Sequence, residues 1–114
     1  RHDVVAALDA VALEDLPVFV VGYSFGAVVA LSTRDPRIAG LVAVAPPLAA
    51  ASPRPACPTL VLTPRHDQFC PPDAAEPIVR QWPDATFEVI ESADHFLAGF
   101  AAVVADRAIA WLAR

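Results

Sequence analysis

The 114-residue sequence is poor in several residue types. It contains no methionine and only two cysteines, and its eight basic residues are all arginines scattered along the chain. The basic side chains form no cluster that could contact successive phosphates, which argues against nucleic-acid binding. The uninterrupted apolar runs are far shorter than the ~18 residues needed to span a bilayer, so we expect no membrane partner.

The two cysteines, Cys57 and Cys70, lie in proline-rich segments. Their spacing matches neither a metal-binding motif nor a thioredoxin-like pair, so we expect no metal site. Two free thiols in a reducing cytoplasm are the favoured interpretation, and a disulfide between them is left open. The chain begins at Arg1 and lacks methionine, which predicts that it is the C-terminal part of a larger domain.

The apolar pattern alternates between helical and extended periods along the whole chain. With 56% hydrophobic residues and a net charge of −5, residues 1–114 are expected to form a single, partial domain. Alternating helices and strands favour βαβ units, and right-handed crossovers place helices on both faces of the sheet. The prediction is therefore an α/β fold with a mostly parallel sheet of about four strands. The predicted strands cover 18–22, 38–45, 59–63 and 86–90, and the predicted helices cover 2–16, 25–33, 72–81 and 97–112.

The most informative motif is Gly-Tyr-Ser-Phe-Gly at 22–26, directly after an apolar run. A Gly-x-Ser-x-Gly segment that leaves a buried strand is typical of a strained turn that lifts a serine above a sheet. We expect Ser24 to be a nucleophile and Gly22 and Gly26 to let strand and helix approach closely. The Phe25 N–H is the predicted oxyanion donor. The alternative is that Ser24 is only a small residue in a tight turn.

A serine hydroxyl needs a base, and the base needs a group that orients it. Asp67 and His95 follow Ser24 in the order Ser…Asp…His, each after a later predicted strand. Because the carboxyl ends of parallel strands meet at one edge of a sheet, these three side chains should converge there. They are the predicted catalytic residues.

The assignments of Asp67 and His95 each have rivals in the sequence. Asp73, a candidate helix cap, and Asp94, adjacent to the histidine, could replace Asp67 as the acid. His66 and His2 could replace His95 as the base, although His95 alone follows the last strand.

Aromatic residues lie beside all three predicted catalytic positions. Tyr23, Phe69 and Phe96 are the candidates for the walls of the substrate pocket. The proline-rich loop at 46–58, which contains five prolines, should hold little regular structure. This loop is too short to form a large lid, so we expect an open site.

At these motifs the sequence resembles the α/β-hydrolase superfamily, particularly small lidless bacterial members near the dienelactone-hydrolase-like and acylpeptidase-like branches. The resemblance implies a serine hydrolase that acts on a carboxylic ester or related small acyl substrate through an acyl-enzyme on Ser24, without a cofactor. Two departures stand out. Thr63-Pro64-Arg65-His66-Asp67 lacks the glycine usual in that turn, and the early loop that supplies the family's second oxyanion donor is absent. The matching segments are 20–27, 38–47, 58–62, 67–72 and 93–96.

Two other interpretations remain open at the level of sequence. The chain could be a non-catalytic binding module with this fold, because fold does not dictate function. It could also be an inactive fragment. Because the missing part of the larger domain would cover one edge of the first predicted strand, that edge should be exposed in this chain, and self-association with another copy is expected there.

Overall fold

The computed structural model describes residues 2–11 and 16–114. In these ranges helices and strands alternate, apart from one pair of consecutive strands. In chain order they are α1 (His2–Val11), β1 (Val18–Tyr23), α2 (Phe25–Ser32), β2 (Ile38–Val44), β3 (Thr59–His66), α3 (Pro72–Val79), β4 (Ala85–Asp94) and α4 (Ala101–Leu112).

The four strands form one sheet in the order β1-β2-β3-β4, and every neighbouring pair is parallel. Val21 pairs with Val42 across the first two strands, and Val44 pairs with Leu62 across the next two. The predicted α/β class and parallel sheet are therefore confirmed. All four strands end at the same edge, so the segments that follow them are neighbours in space.

Helices cover both faces of the sheet, as predicted from the alternation. On one face Leu41 and Val61 contribute to a core that also includes residues of α1, α2 and α3. On the other face Leu60 and Leu62 pack in a core with α4. Successive strand residues point to opposite faces, so a continuous apolar run is what a sheet covered on both sides requires. The two tryptophans are anchors of these cores, Trp82 in the first and Trp111 in the second.

Strands β3 and β4 extend further than the sequence pattern predicted. The β3–β4 register shifts between Pro64 and His66, which accommodates a proline within a strand. Between these two residues, Arg65 donates two hydrogen bonds of 3.0 and 2.9 Å to the carboxylate of Glu91 on β4. This bidentate pair links the two strands next to the segment that precedes Asp67.

Several predicted helix ends were also wrong. Helix α1 is described as far as Val11, and residues 12–15 of the predicted helix lie outside the described ranges; Leu16, its last predicted residue, is instead an exposed bend residue. Helix α4 begins at Ala101 because Leu97 and Gly99 have positive φ angles of 55° and 80°, which are incompatible with a helix. Helices α2 and α3 stop one and two residues early, within the usual variation at helix ends.

The segment between β2 and β3 contains no helix or strand, as its prolines predicted. It is nevertheless anchored, because Leu48 is buried in the core of the α2 and α3 face. In the described part of the chain, no helix combines the length and hydropathy required to cross a membrane.

Candidate active site

Ser24 occupies the turn between β1 and α2 in a strained backbone conformation. Its φ of 55° and ψ of −124° lie outside the regions that residues with a side chain normally adopt. Such a conformation costs on the order of 1–3 kcal/mol and persists only where the surroundings impose it. Here the Ser24 N–H donates a 2.8 Å hydrogen bond to the carbonyl of Val44, which fixes the turn to the end of β2.

The two glycines that flank the turn have different environments. A Cβ added at Gly22 would lie 2.7 Å from the Cα of Ala27 and 2.7 Å from the carbonyl oxygen of Gly26. Gly22 is therefore required for the close approach of strand and helix. The same role was predicted for Gly26, and this prediction is wrong: among the described residues, a Cβ added at Gly26 would meet no atom within 4 Å.

Ser24, His95 and Asp67 form a continuous chain of hydrogen bonds. The Ser24 Oγ lies 2.8 Å from the Nε2 of His95, and the His95 Nδ1 lies 2.7 Å from the Oδ2 of Asp67. With Nδ1–H donating to the carboxylate, Nε2 is left as the acceptor for the serine hydroxyl. Asp67 and His95 are only 5% and 4% exposed, so both of their side chains are withdrawn from solvent.

The orientation of Asp67 is fixed by the loop that follows it. Its second oxygen, Oδ1, accepts hydrogen bonds of 2.8 Å from the backbone N–H groups of Phe69 and Cys70. These bonds leave Oδ2 directed at the imidazole of His95. The missing glycine in this turn therefore does not prevent the aspartate from reaching the histidine.

Two further side chains hold the backbone of His95, and the sequence analysis missed this role for both. The Tyr23 hydroxyl donates a 2.7 Å hydrogen bond to the His95 carbonyl oxygen. The His95 N–H donates a 3.2 Å hydrogen bond to the Oε1 of Gln68. Tyr23 precedes Ser24 and Gln68 follows Asp67, so the Ser24 turn and the Asp67 loop are each hydrogen-bonded to the backbone of His95. Their adjacency to the motif residues was the only signal in the sequence.

The rival acids and bases lie elsewhere. Asp73 is an exposed residue in the first turn of α3, and its predicted role as a helix cap is wrong because Pro71 holds that position. The Asp94 Oδ1 accepts the N–H of Phe96 within an exposed turn. His66 is exposed at the end of β3, and the side chain of His2 lies outside the described residues.

Three aromatic rings surround the imidazole of His95. The ring centroid of Phe69 lies 4.5 Å from that of His95, and those of Phe96 and Tyr23 lie 5.5 and 5.6 Å from it. The structure thus brings all three predicted pocket residues to the site. Phe25, the fourth aromatic neighbour, is the first residue of α2 and is 72% exposed. An N–H at that position has no intrahelical acceptor, so it is available to a ligand.

Neither cysteine forms a disulfide in the structure. Burial raises the pKa of the Cys70 thiol, which is in contact with the Leu48 carbonyl oxygen at 3.7 Å. Burial also raises the pKa of Cys57. Both thiols are therefore held in their protonated, weakly nucleophilic form, and Cys70 does not compete with Ser24. Among the described residues, no three His, Cys, Asp or Glu side chains form a group that could hold a metal ion.

An apolar groove of about 610 Å³ lies between β1 and α4. Val21 and Tyr23 line it on the strand side, and Ala108 and Ile109 line it on the helix side. Phe96, whose ring centroid lies 5.5 Å from that of His95, also lines it. Val21 and Ile109 are 59% and 63% exposed, so part of the apolar face predicted for the last helix is open to solvent.

Solved structures with the same arrangement of elements are α/β hydrolases and esterases. A protein of unknown function from Agrobacterium tumefaciens, described as an α/β hydrolase, matches with a TM-score of 0.77 and 24% identity over 99% of this chain and 56% of its own. The esterase domain of a Rhodothermus marinus protein matches with a TM-score of 0.76 and 19% identity over 96% of this chain and 66% of its own. An α/β serine hydrolase homologue from Coxiella burnetii matches with a TM-score of 0.71 and 25% identity over 90% of this chain and 52% of its own.

The chain has the α/β-hydrolase fold and spans about half to two thirds of the length of these structures. No protein-family model matches the sequence. The comparison with curated proteins also found no match. The branch of the superfamily therefore stays a prediction.

Proposed function

We propose that the protein is a serine hydrolase that cleaves a small carboxylic ester through an acyl-enzyme on Ser24. The observation that carries the proposal is the pair of hydrogen bonds, 2.8 and 2.7 Å long, that link Ser24 through His95 to Asp67. A turn residue with no catalytic task would not need a buried histidine and a buried carboxylate aligned behind it. The esterases among the similar structures support the same class of reaction.

In the first half of the proposed reaction, the Ser24 Oγ attacks the ester carbonyl carbon while its proton passes to the Nε2 of His95. Asp67 holds the imidazole by Nδ1 and stabilises the imidazolium as it forms. The tetrahedral intermediate collapses as the bond from the carbonyl carbon to the alkoxy oxygen breaks. His95 returns its proton to that oxygen, and the alcohol leaves.

In the second half, a water molecule attacks the acyl-enzyme and gives a proton to His95 Nε2. The bond between the acyl carbon and the Ser24 Oγ breaks, Oγ regains the proton, and the carboxylic acid is released. In both halves negative charge develops on the carbonyl oxygen. The Phe25 N–H, at the N-terminus of α2, is the proposed donor to that oxygen, and one such donor is typically worth ~100–1000-fold in rate.

The test is covalent labelling with a fluorophosphonate serine probe, read by intact mass. We expect a single adduct on the parent chain and none on the Ser24→Ala variant. Ser32→Ala is the matched control, because Ser32 lies in α2 and its hydroxyl donates a hydrogen bond to the carbonyl of Val29 in the same helix. That variant should label like the parent.

An unlabelled parent chain would contradict the proposal and favour the alternative of a non-catalytic binding module or an inactive fragment. Equal labelling of the Ser24→Ala variant would show that another residue is the reactive group. The proposed partner is a small-molecule acyl substrate, and the reaction as written needs no cofactor. A cytoplasmic location stays a prediction.

A further inference from the structure

Exposed aromatic side chains are concentrated around the candidate triad. In the described ranges, four of the five exposed aromatic residues lie within two positions of Ser24, Asp67 or His95. The two tryptophans, by contrast, are buried in the cores. Exposed apolar surface of this kind marks a place where something binds. The five exposed aromatic residues are Phe19, Tyr23, Phe25, Phe69 and Phe96.

Phe69 and Phe96 form a wall next to the reacting groups. Their ring centroids lie 6.5 Å apart at an interplanar angle of 83°, an edge-to-face pair, and both rings contact the imidazole of His95. They remain 63% and 65% exposed, so large parts of both rings are available to a ligand. A ring that packs against this pair would lie beside the bond that Ser24 attacks.

The charges around this wall disfavour an anionic substrate. Asp94 is an exposed carboxylate adjacent to His95, and the guanidinium of Arg65, two positions before Asp67, is engaged by Glu91. The chain as a whole carries a net charge of −5. A substrate with a phosphate or a free carboxylate would therefore approach against a negative field.

We propose that the Phe69–Phe96 pair binds an aromatic ring of the substrate, so that the preferred substrates are uncharged esters that carry such a ring. This inference rests on the proposed function, because the ring must lie next to a carbonyl that Ser24 attacks. Aromatic pairs in edge-to-face or offset contact gain about twofold to tenfold in binding over apolar area alone.

The test compares benzyl acetate with cyclohexylmethyl acetate, and methyl phenylacetate with methyl cyclohexylacetate. Each pair matches the size but differs in aromaticity: the first pair places the ring in the leaving alcohol, and the second places it in the acyl group with methanol as the common leaving group. We expect kcat/KM to favour the aromatic member of at least one pair by threefold or more. Phe69→Leu and Phe96→Leu should each reduce that ratio toward one, whereas Phe19→Leu should leave it unchanged. An anionic 4-carboxybenzyl acetate should react more slowly than benzyl acetate.

Equal rates within both pairs, or ratios that the Leu variants do not change, would overturn the inference while fluorophosphonate labelling of Ser24 upheld the proposed function. If the parent is not labelled, the proposed function fails, and dissociation constants for benzyl alcohol and cyclohexylmethanol still test the ring preference. Equal constants would again overturn it. Leu variants that change the sedimentation of the chain but not its ester selectivity would assign the rings to a contact between copies and would also overturn it.

Discussion

The hydroxyl of Tyr23 donates a 2.7 Å hydrogen bond to the carbonyl oxygen of His95, across 72 residues of sequence. The bond connects the turn that holds Ser24 to the loop that holds its proposed base. The distance between the side chains of Ser24 and His95 is therefore set by Tyr23, the residue before Ser24, as well as by the sheet beneath them.

Tyr23→Phe should loosen this connection without removing a reacting group. Loss of one hydrogen bond costs about 1 kcal/mol of unfolding free energy, and we expect fluorophosphonate labelling to slow several-fold. For ester turnover, kcat should fall while KM changes little, because the Tyr23 hydroxyl is engaged by the His95 carbonyl oxygen and the ring that faces the groove is kept in phenylalanine. Gln68→Leu should act in the same direction, and Gln68→Glu, which keeps an acceptor for the His95 N–H, should restore most of the rate. A Tyr23→Phe variant that labels like the parent would contradict the positioning role.

Asp67→Asn should abolish nearly all activity while the fold is retained. The amide cannot both accept the His95 Nδ1–H and keep its hydrogen bonds to Phe69 and Cys70 in the same geometry, so the imidazole adopts the wrong tautomer. In a serine triad this change typically lowers kcat by ~10⁴-fold. Labelling rates and circular dichroism would be measured together. Asp73→Asn, a matched change in an exposed carboxylate, should have no effect, and equal losses in both variants would refute the assignment.

The two glycines of the motif provide a matched pair for a stability test. Gly22→Ala places a methyl group 2.7 Å from the backbone of Ala27, so backbone must move, and we expect a loss of roughly 1–3 kcal/mol. Gly26→Ala should be neutral or stabilise the protein by up to about 1 kcal/mol, because the position lies in α2 with open space around it. Urea unfolding would decide. Similar losses in both variants would show that the crowding at Gly22 is not the cause.

Those parts of the fold and site that depend on local pattern could be predicted from the sequence. The strained turn at Ser24 requires its own glycine at position 22, and the buried strands require continuous apolar runs, so both are visible in short segments. Ser24, Asp67 and His95 follow the ends of β1, β3 and β4, and the parallel topology predicts that these ends meet at one edge of the sheet. Their meeting in space agrees with that reasoning, while their catalytic role stays a prediction.

What the sequence missed depends on contacts between distant residues. The extension of β3 and β4 involves the pair Arg65–Glu91, whose partners are 26 positions apart and neither of which is apolar. The late start of α4 depends on a positive φ at Leu97, a residue type that gives no sign of it. The hydrogen bonds of Tyr23 and Gln68 to the His95 backbone likewise join distant positions that no local sequence pattern connects.

Asp35 gives the protein a pH-dependent contribution to its stability. The guanidinium of Arg37 lies 2.7 Å from the Asp35 carboxylate and lowers its pKa from 3.8 to about 2. Because the folded pKa lies below the unfolded value, this stabilisation is present above about pH 4 and is lost as the pH falls toward 2. The difference in Tm between the parent and Asp35→Asn should therefore shrink from pH 6 to pH 2.5. Asp106→Asn, at an exposed position of α4, serves as the control, and a Tm difference for Asp35→Asn that did not vary with pH would contradict the prediction.

Strand β1 lies at one edge of the described sheet, and its residue Val21 is 59% exposed. An edge strand with apolar side chains pairs readily with another copy, so we propose that the chain self-associates in solution. Val21→Lys should shift sedimentation toward the monomer at high protein concentration, because a charge at the edge opposes pairing. Val103→Lys, at an exposed position of α4, should not. A parent chain that stays monomeric at all concentrations would refute this proposal.

The hydrogen bond between Ser24 and His95 joins residues 71 positions apart, and it also determines when the site forms during folding. Parallel strands pair only after long connections close, which makes such sheets slow to fold. The last strand must dock before the histidine can reach the serine, so we expect the site to form only after β4 has joined the sheet. After dilution from urea, the rate of fluorophosphonate labelling at Ser24 should therefore recover with the slowest phase of sheet formation. Labelling would then report when the sheet is complete.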